Sequence, residues 1–217
     1  MSVTRQDIVN AAYEEWATWG YSRFNRITGE RQIAHVDDED LWADYVIEQY
    51  CAEMGKEAPS RRNIAEDKWA WSAVGITALM RKAGFNHQQW PFIVAHHTYL
   101  RRFIRAGKQQ QPDLFWGVPV DAPGGQPKAG DLIAYARFDE GDLSSVEQKW
   151  KTARSRFDLN DRYNSHADIV VAVRPGEVDV IGANVEDSVT LKTLELSPDG
   201  YLSDRHYYWF VTLKFRD

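Results

Sequence analysis

The chain changes its hydrophobic period once, near residue 131. Before that point apolar residues recur at helical spacing; after it they alternate or run together as strands. Thr4-Arg5-Gln6-Asp7 is a capping-box-like start, and Val9, Ala12, Tyr13, Trp16 and Trp19 follow at helical spacing with Gly20 to close the helix. Residues 21–36 read as a polar loop. Asp37 or Asp38 is positioned to cap a second helix, whose face is Leu41, Trp42, Tyr45, Val46 and Tyr50 and which stops near Gly55. A third helix is expected from Trp71 or Ser72 to Ala83, and a fourth from about Val94 to Ala106. Residues 107–130 read as a long Pro/Gly loop. Strands are expected at 131–136, 166–173, 178–184, 188–195 and 206–215, with a charged surface insertion at 138–164 holding a short helix around 144–155. Helices first and an antiparallel sheet second make an α+β fold in a single domain, 1–217. Residues 1–70 form its N-terminal helical part and 71–217 its core.

At 217 residues the chain is long enough to bury a real core within one domain. Nine Trp, ten Tyr and nine Phe supply that core generously. A net charge of −6 argues against a dominant nucleic-acid or anionic-membrane footprint. The one cysteine, Cys51, excludes an internal disulfide and any CxxC motif, and its helical context reads as a small buried hydrophobe. No apolar run approaches the ~20 residues of a membrane span. The start MSVTRQDIVN lacks a standard secretory signal, so the expectation is synthesis in the cytoplasm, with delivery to the periplasm or export only by a non-standard route.

Three positions carry candidate chemistry. Ser72 sits at the start of an apolar helix, straight after Trp69-Ala-Trp71. Unpaired backbone N–H groups and the positive end of the macrodipole there stabilise an anion. Ser72 is either a nucleophile or simply the N-cap, worth about 1 kcal/mol. His166 opens a strand that otherwise reads as buried, a position suited to a general base or to a satisfied half-exposed histidine. A three-residue turn after Val173 would set His166 opposite Asn184 on one face, with Cβ atoms ~5 Å apart; a four-residue turn would break that pairing. Asp168, two residues on, lies on the same strand face as His166 and competes for the orienting role. His96, beside His97, shares a helix face with Leu100 and Phe103 and reads as a core or rim histidine. A His96/His166/Asp168 metal site has no recognised ligand spacing behind it, and no cofactor or metal is expected. Trp69, Trp71, Trp90 and Trp116, with the Pro/Gly loop, either wall a groove or belong to the core.

The segments Trp71-Ser72-Ala73…Met80-Arg81-Lys82-Ala83-Gly84, Gly130–Ile133, His166–Val171 and Gly182–Val185 stand in an order that resembles papain-like cell-wall hydrolases of the CHAP and NlpC type. More closely, they resemble an uncharacterised bacterial family related to these. The resemblance reaches Ile8-Val9…Glu15-Trp16, and His96 with Tyr99. It implies a papain-like fold, the nucleophile helix packed on an antiparallel sheet, and hydrolysis of amide bonds in peptidoglycan peptides. Ser72 matches the nucleophile, where the related enzymes carry cysteine. His166 matches the base, and Asn184 or Asp168 the orienter. Trp71, Trp69, His96 and Tyr99 are the expected substrate-binding residues. The implied partners are peptidoglycan or a peptide substrate, together with an immunity or delivery protein, as for an antibacterial effector or lysin. A cell-wall or protein-binding domain without catalysis and a metal-dependent hydrolase are the alternative functions.

Overall fold

The structure is a computed structural model that describes residues 2–66, 68–139 and 145–216. Helix α1 (Arg5–Thr18) begins at the expected capping box: the Thr4 hydroxyl accepts from the Asp7 amide and the Asp7 carboxylate accepts from the Thr4 amide. Gly20, at φ 77°, turns the chain out of it. The second helical region departs from expectation. It is a short α2 (Asp40–Tyr45), one π turn (Val46–Tyr50) and a 3-10 segment (Ala52–Glu57), and Leu41 points to solvent at 73% exposure. Asp37 does not cap this helix; it is buried and accepts a hydrogen bond from Trp71 Nε1. The polar loop before Trp71 contains a short helix α3 (Arg61–Ala65), held by a Ser60–Asn63 capping box. Helices α4 (Ser72–Lys82), α5 (His96–Gln109) and α6 (Val146–Ser155) lie within a few residues of their expected places. The insertion around α6 includes residues 140–144, which lie outside the described residues.

Eight strands form one sheet. They are β1 (Arg23–Asn25), β2 (Arg31–Gln32), β3 (Phe115–Pro119), β4 (Leu132–Ala136), β5 (Ser165–Arg174), β6 (Glu177–Val185), β7 (Ser188–Glu195) and β8 (Tyr208–Phe215). Their order is β2-β1-β7-β6-β5-β4-β8-β3, antiparallel throughout except for the parallel β1–β7 pair. Two expected loops therefore contain strands: β1 and β2 within 21–36, and β3 within 107–130. The fold is α+β in a single domain.

Strand alternation separates two cores. Ala134, Ala167, Ile169, Ile181 and Ala183 join α1, α4 and α5 in the larger one, while Ile133, Val170, Val178, Val180 and Trp209 form a smaller one on the other face. The larger core explains the excess of tryptophan. Trp19 stacks on Trp71 (ring centroids 5.2 Å) and packs on Trp42 (4.7 Å), and Tyr50 stacks on Trp71 (5.5 Å). The N-terminal helices thus clamp the residue immediately before Ser72. Among the described residues no helix is long and apolar enough to cross a membrane.

Candidate functional site

Ser72 is the first residue of α4, not its cap. Trp71 occupies the cap position and offers no side-chain cap bond, so the Ser72 hydroxyl is left for another partner. That partner is His96, the first residue of α5: Ser72 Oγ lies 2.8 Å from His96 Nε2. The other imidazole nitrogen, Nδ1, is 2.5 Å from the Tyr99 hydroxyl, one turn along the same helix. Ser72, His96 and Tyr99 are all buried, yet Ser72 and His96 line one wall of an open cleft of about 580 Å³ between the starts of α4 and α5 and the residues flanking β4 and β5. Close contact of α4 with the sheet fixes Ser72 in place. Gly75 sits so near β6 that an added Cβ would lie 2.5 Å from the Ala183 Cβ.

His166 and Asp168 form a second polar group. His166 Nε2 is 3.1 Å from Asp168 Oδ1, and the buried Lys192 Nζ donates to Asp168 Oδ2 at 2.8 Å. By alternation both residues share strand parity with Val170, on the face away from α4. Tyr135, Tyr207 and Trp209 surround the Lys192 ammonium there at 4.6–6.0 Å. The His96 and His166 rings meet with centroids 5.2 Å apart, so the two polar groups join as Ser72–His96–His166–Asp168–Lys192. Gly182 permits this packing: a Cβ there would fall 2.0 Å from Asp168 Oδ1 and 3.1 Å from His166 Nε2.

The charge states follow from burial. Loss of hydration drives His96 well below the ordinary imidazole range, and the neighbouring His166 adds to this. His166 is lowered for the same reason, in spite of Asp168. Burial pushes the Asp168 carboxyl up, but Lys192 and His166 outweigh it and hold it at about 2. At neutral pH the group is therefore two neutral imidazoles beside a carboxylate–ammonium pair.

Several candidate residues have partners or surroundings other than those expected. The imidazole in contact with Ser72 Oγ is that of His96; His166 has strand parity with the other sheet face and bonds Asp168. Of the two candidate partners of His166, Asp168 is the one in hydrogen-bond contact with it. Asn184 sits in the left-handed region at φ 55°, at a bulge between β6 and β7, and among the described residues no side-chain bond joins it to His166. Trp71 and Trp90 are fully buried and Tyr99 is 1% exposed, so all three pack within the core. Trp69 is half-buried against the core. Both nitrogens of His96 are engaged, and among the described residues no group of three His, Cys, Asp or Glu side chains is arranged to hold a metal ion.

A family model described as an uncharacterized protein conserved in bacteria (DUF2272) matches residues 37–215, and the chain belongs to that family. No curated protein and no solved structure matches the chain.

Proposed function

We propose that this member of the family is a serine hydrolase that cleaves amide bonds in bacterial cell-wall peptides, with Ser72 as nucleophile and His96 as its base. The observation that carries the reading is the 2.8 Å contact between Ser72 Oγ and His96 Nε2 at the first residue of a helix, on the wall of an open cleft. The packing of α4, which begins at Ser72, against a mostly antiparallel sheet supports it. The substrate class rests on the resemblance to CHAP and NlpC-type hydrolases.

The chemistry needs His96 neutral with its Nε2 lone pair toward Ser72, which holds when Nδ1–H donates to the Tyr99 hydroxyl. Oγ forms a bond to the acyl carbon while its proton passes to Nε2. The C–N bond then breaks as Nε2 returns the proton to the leaving amine. Water attacks the acyl-serine in the same way: one proton passes through Nε2 to Oγ, the acid leaves, and Ser72 is restored. The first-turn amides of α4 face the developing oxyanion, and one such donor is typically worth ~10²–10³ in rate. The transient imidazolium is favoured by the Asp168 carboxylate behind His166.

Two measurements test this. A fluorophosphonate probe should label the wild-type protein at Ser72, and Ser72→Ala and His96→Ala should abolish labelling. Purified peptidoglycan should release new amino termini with the wild type and not with Ser72→Ala, by product mass. Equal product release from the two proteins, or labelling away from Ser72, would overturn the reading.

A further inference from the structure

The described lining of the cleft that ends at Ser72 carries two arginines. Arg137, just after β4, and Arg162, just before β5, both line it and are both exposed. Among the described residues neither guanidinium has an acid partner, which leaves both open to a ligand anion. Asp139 is the one acid on the described lining, and its Oδ2 accepts from Asn164 Nδ2 at 3.4 Å. Tyr163 and Ser165 line the same cleft. Tyr163 is more than nine-tenths buried with a hydroxyl that has no hydrogen-bond partner, and the Ser165 Oγ is likewise buried and unpartnered.

We propose that the cleft selects substrates with a free carboxylate next to the scissile bond, bound by Arg137 and Arg162. This rests on the reading of the cleft as the substrate cleft of a Ser72 hydrolase. The carboxylate is either the C-terminus of a peptide or an acidic side chain; guanidinium recognition is the same for both. Binding would also assist the reaction. Arg137 disfavours a positive charge on His96, and a carboxylate placed on Arg137 offsets that field as the imidazolium forms.

The test is titration calorimetry on the non-cleaving Ser72→Ala protein at low salt. One probe pair is acetyl-tetraalanine as free acid and as carboxamide. The other is an acetyl-tetrapeptide amide with an internal glutamate and its glutamine counterpart. At least one carboxylate member should bind about three- to tenfold tighter than its neutral partner, the range for exposed charge pairs, and the advantage should shrink with added salt. Arg137→Gln combined with Arg162→Gln, both at exposed positions, should bring the ratio to near one. Which pair responds identifies the source of the carboxylate. Equal binding within both pairs, no binding of any probe, or a preference that survives the double substitution would overturn the proposal. Fluorophosphonate labelling separates it from the hydrolase reading: a labelled enzyme without the preference overturns only the carboxylate site, and an unlabelled enzyme that keeps the preference overturns only the hydrolase.

Discussion

Replacing Lys192 with methionine should destabilise the protein severely, and acid should relieve part of the damage. Lys192 is fully buried, and its ammonium is the stronger of the two partners that keep Asp168 ionised. The Asp168 carboxyl falls from its ordinary 3.8 to about 2. At 1.36 kcal/mol per unit, that difference corresponds to about 2 kcal/mol of stability near neutral pH. Methionine removes the charge and leaves a buried carboxylate with only the neutral His166 beside it, a situation that costs about 3–5 kcal/mol. For a chain of this length such a loss lowers Tm by about 6–20 °C. The pH dependence has a definite sign. In the wild type the Asp168 contribution is fully present above 3.8 and is lost only as pH falls through about 2. In the variant the folded-state value rises above 3.8, so the folded protein takes up a proton as pH falls, on Asp168 or on His166. The deficit relative to wild type should therefore be smaller at about pH 4 than at about pH 7. Urea unfolding followed by far-ultraviolet circular dichroism at both pH values measures it. Adding Asp168→Asn should recover much of the loss, since it removes the orphaned charge. A cost under about 1 kcal/mol, a deficit that grows in acid, or a double variant no better than Lys192→Met alone would refute the reasoning.

Four further outcomes are expected. Gly75→Ala should cost about 1–3 kcal/mol in urea unfolding, because its methyl would meet the Ala183 Cβ at 2.5 Å between α4 and β6. Burial raises the Cys51 thiol to about 12, so iodoacetamide at mildly alkaline pH should leave the folded protein unmodified and react on unfolding, as read by mass. His96 is held below the ordinary 6.5, so fluorophosphonate labelling of Ser72 should stay flat as pH falls through 6.5 and decline only below it. The thiol of a Ser72→Cys variant should be protonated at rest, with an alkylation rate that climbs through about pH 9 instead of levelling off near pH 6.

What is readable from the chain is what is local. The Thr4 cap, the α4 boundaries and the long hairpin β5–β6 are carried by neighbouring residues, and the structure places them as expected. Strands β1 and β2 are not readable, because Arg23–Asn25 and Arg31–Gln32 have no apolar alternation; they are strands only through pairing, such as Arg23 opposite Leu191. The β3 segment is hidden by its prolines and shown only by Phe115 facing Phe215. The hairpin register is an instructive case. The turn has two residues, Pro175-Gly176, not three, and this alone would misplace His166. A bulge between Val170 and Ala172 then shifts the ladder, so that Val170 faces Val180 and Ile169 faces Ile181, the register that a three-residue turn would have produced. Continuing that ladder puts Asp168 beside Gly182, the close approach that the absent Cβ allows. The Ser72–His96 contact joins two helix starts twenty-four residues apart, and no periodicity predicts it. Its one local trace is Tyr99 three residues after His96, on the same helix face.

The serine in place of a cysteine is consistent with the electrostatics around it. A cysteine site works from a resting thiolate, usually beside a histidine that is charged at neutral pH. His96 is the reverse: it is buried, it has a second imidazole at 5.2 Å, and Arg137 also disfavours its protonation. The start of α4 would favour a thiolate by up to ~2 kcal/mol, or ~1.5 pKa units. Burial acts the other way and is larger in this protein, where it moves the Cys51 thiol from 9.0 to about 12. Ser72 is about as enclosed, at 5% exposure. A thiol at its position would therefore be protonated at rest and would lose the advantage that sulfur has over oxygen. An alcohol makes a weaker demand: its base must be neutral before attack and accept a proton during it. A buried neutral imidazole meets that demand, and the Asp168 carboxylate behind His166 supplies the field that favours the imidazolium once it forms. On the proposed hydrolase reading, a serine at position 72 and the low basicity of His96 would be two parts of one arrangement, in which a proton moves only when a substrate is present.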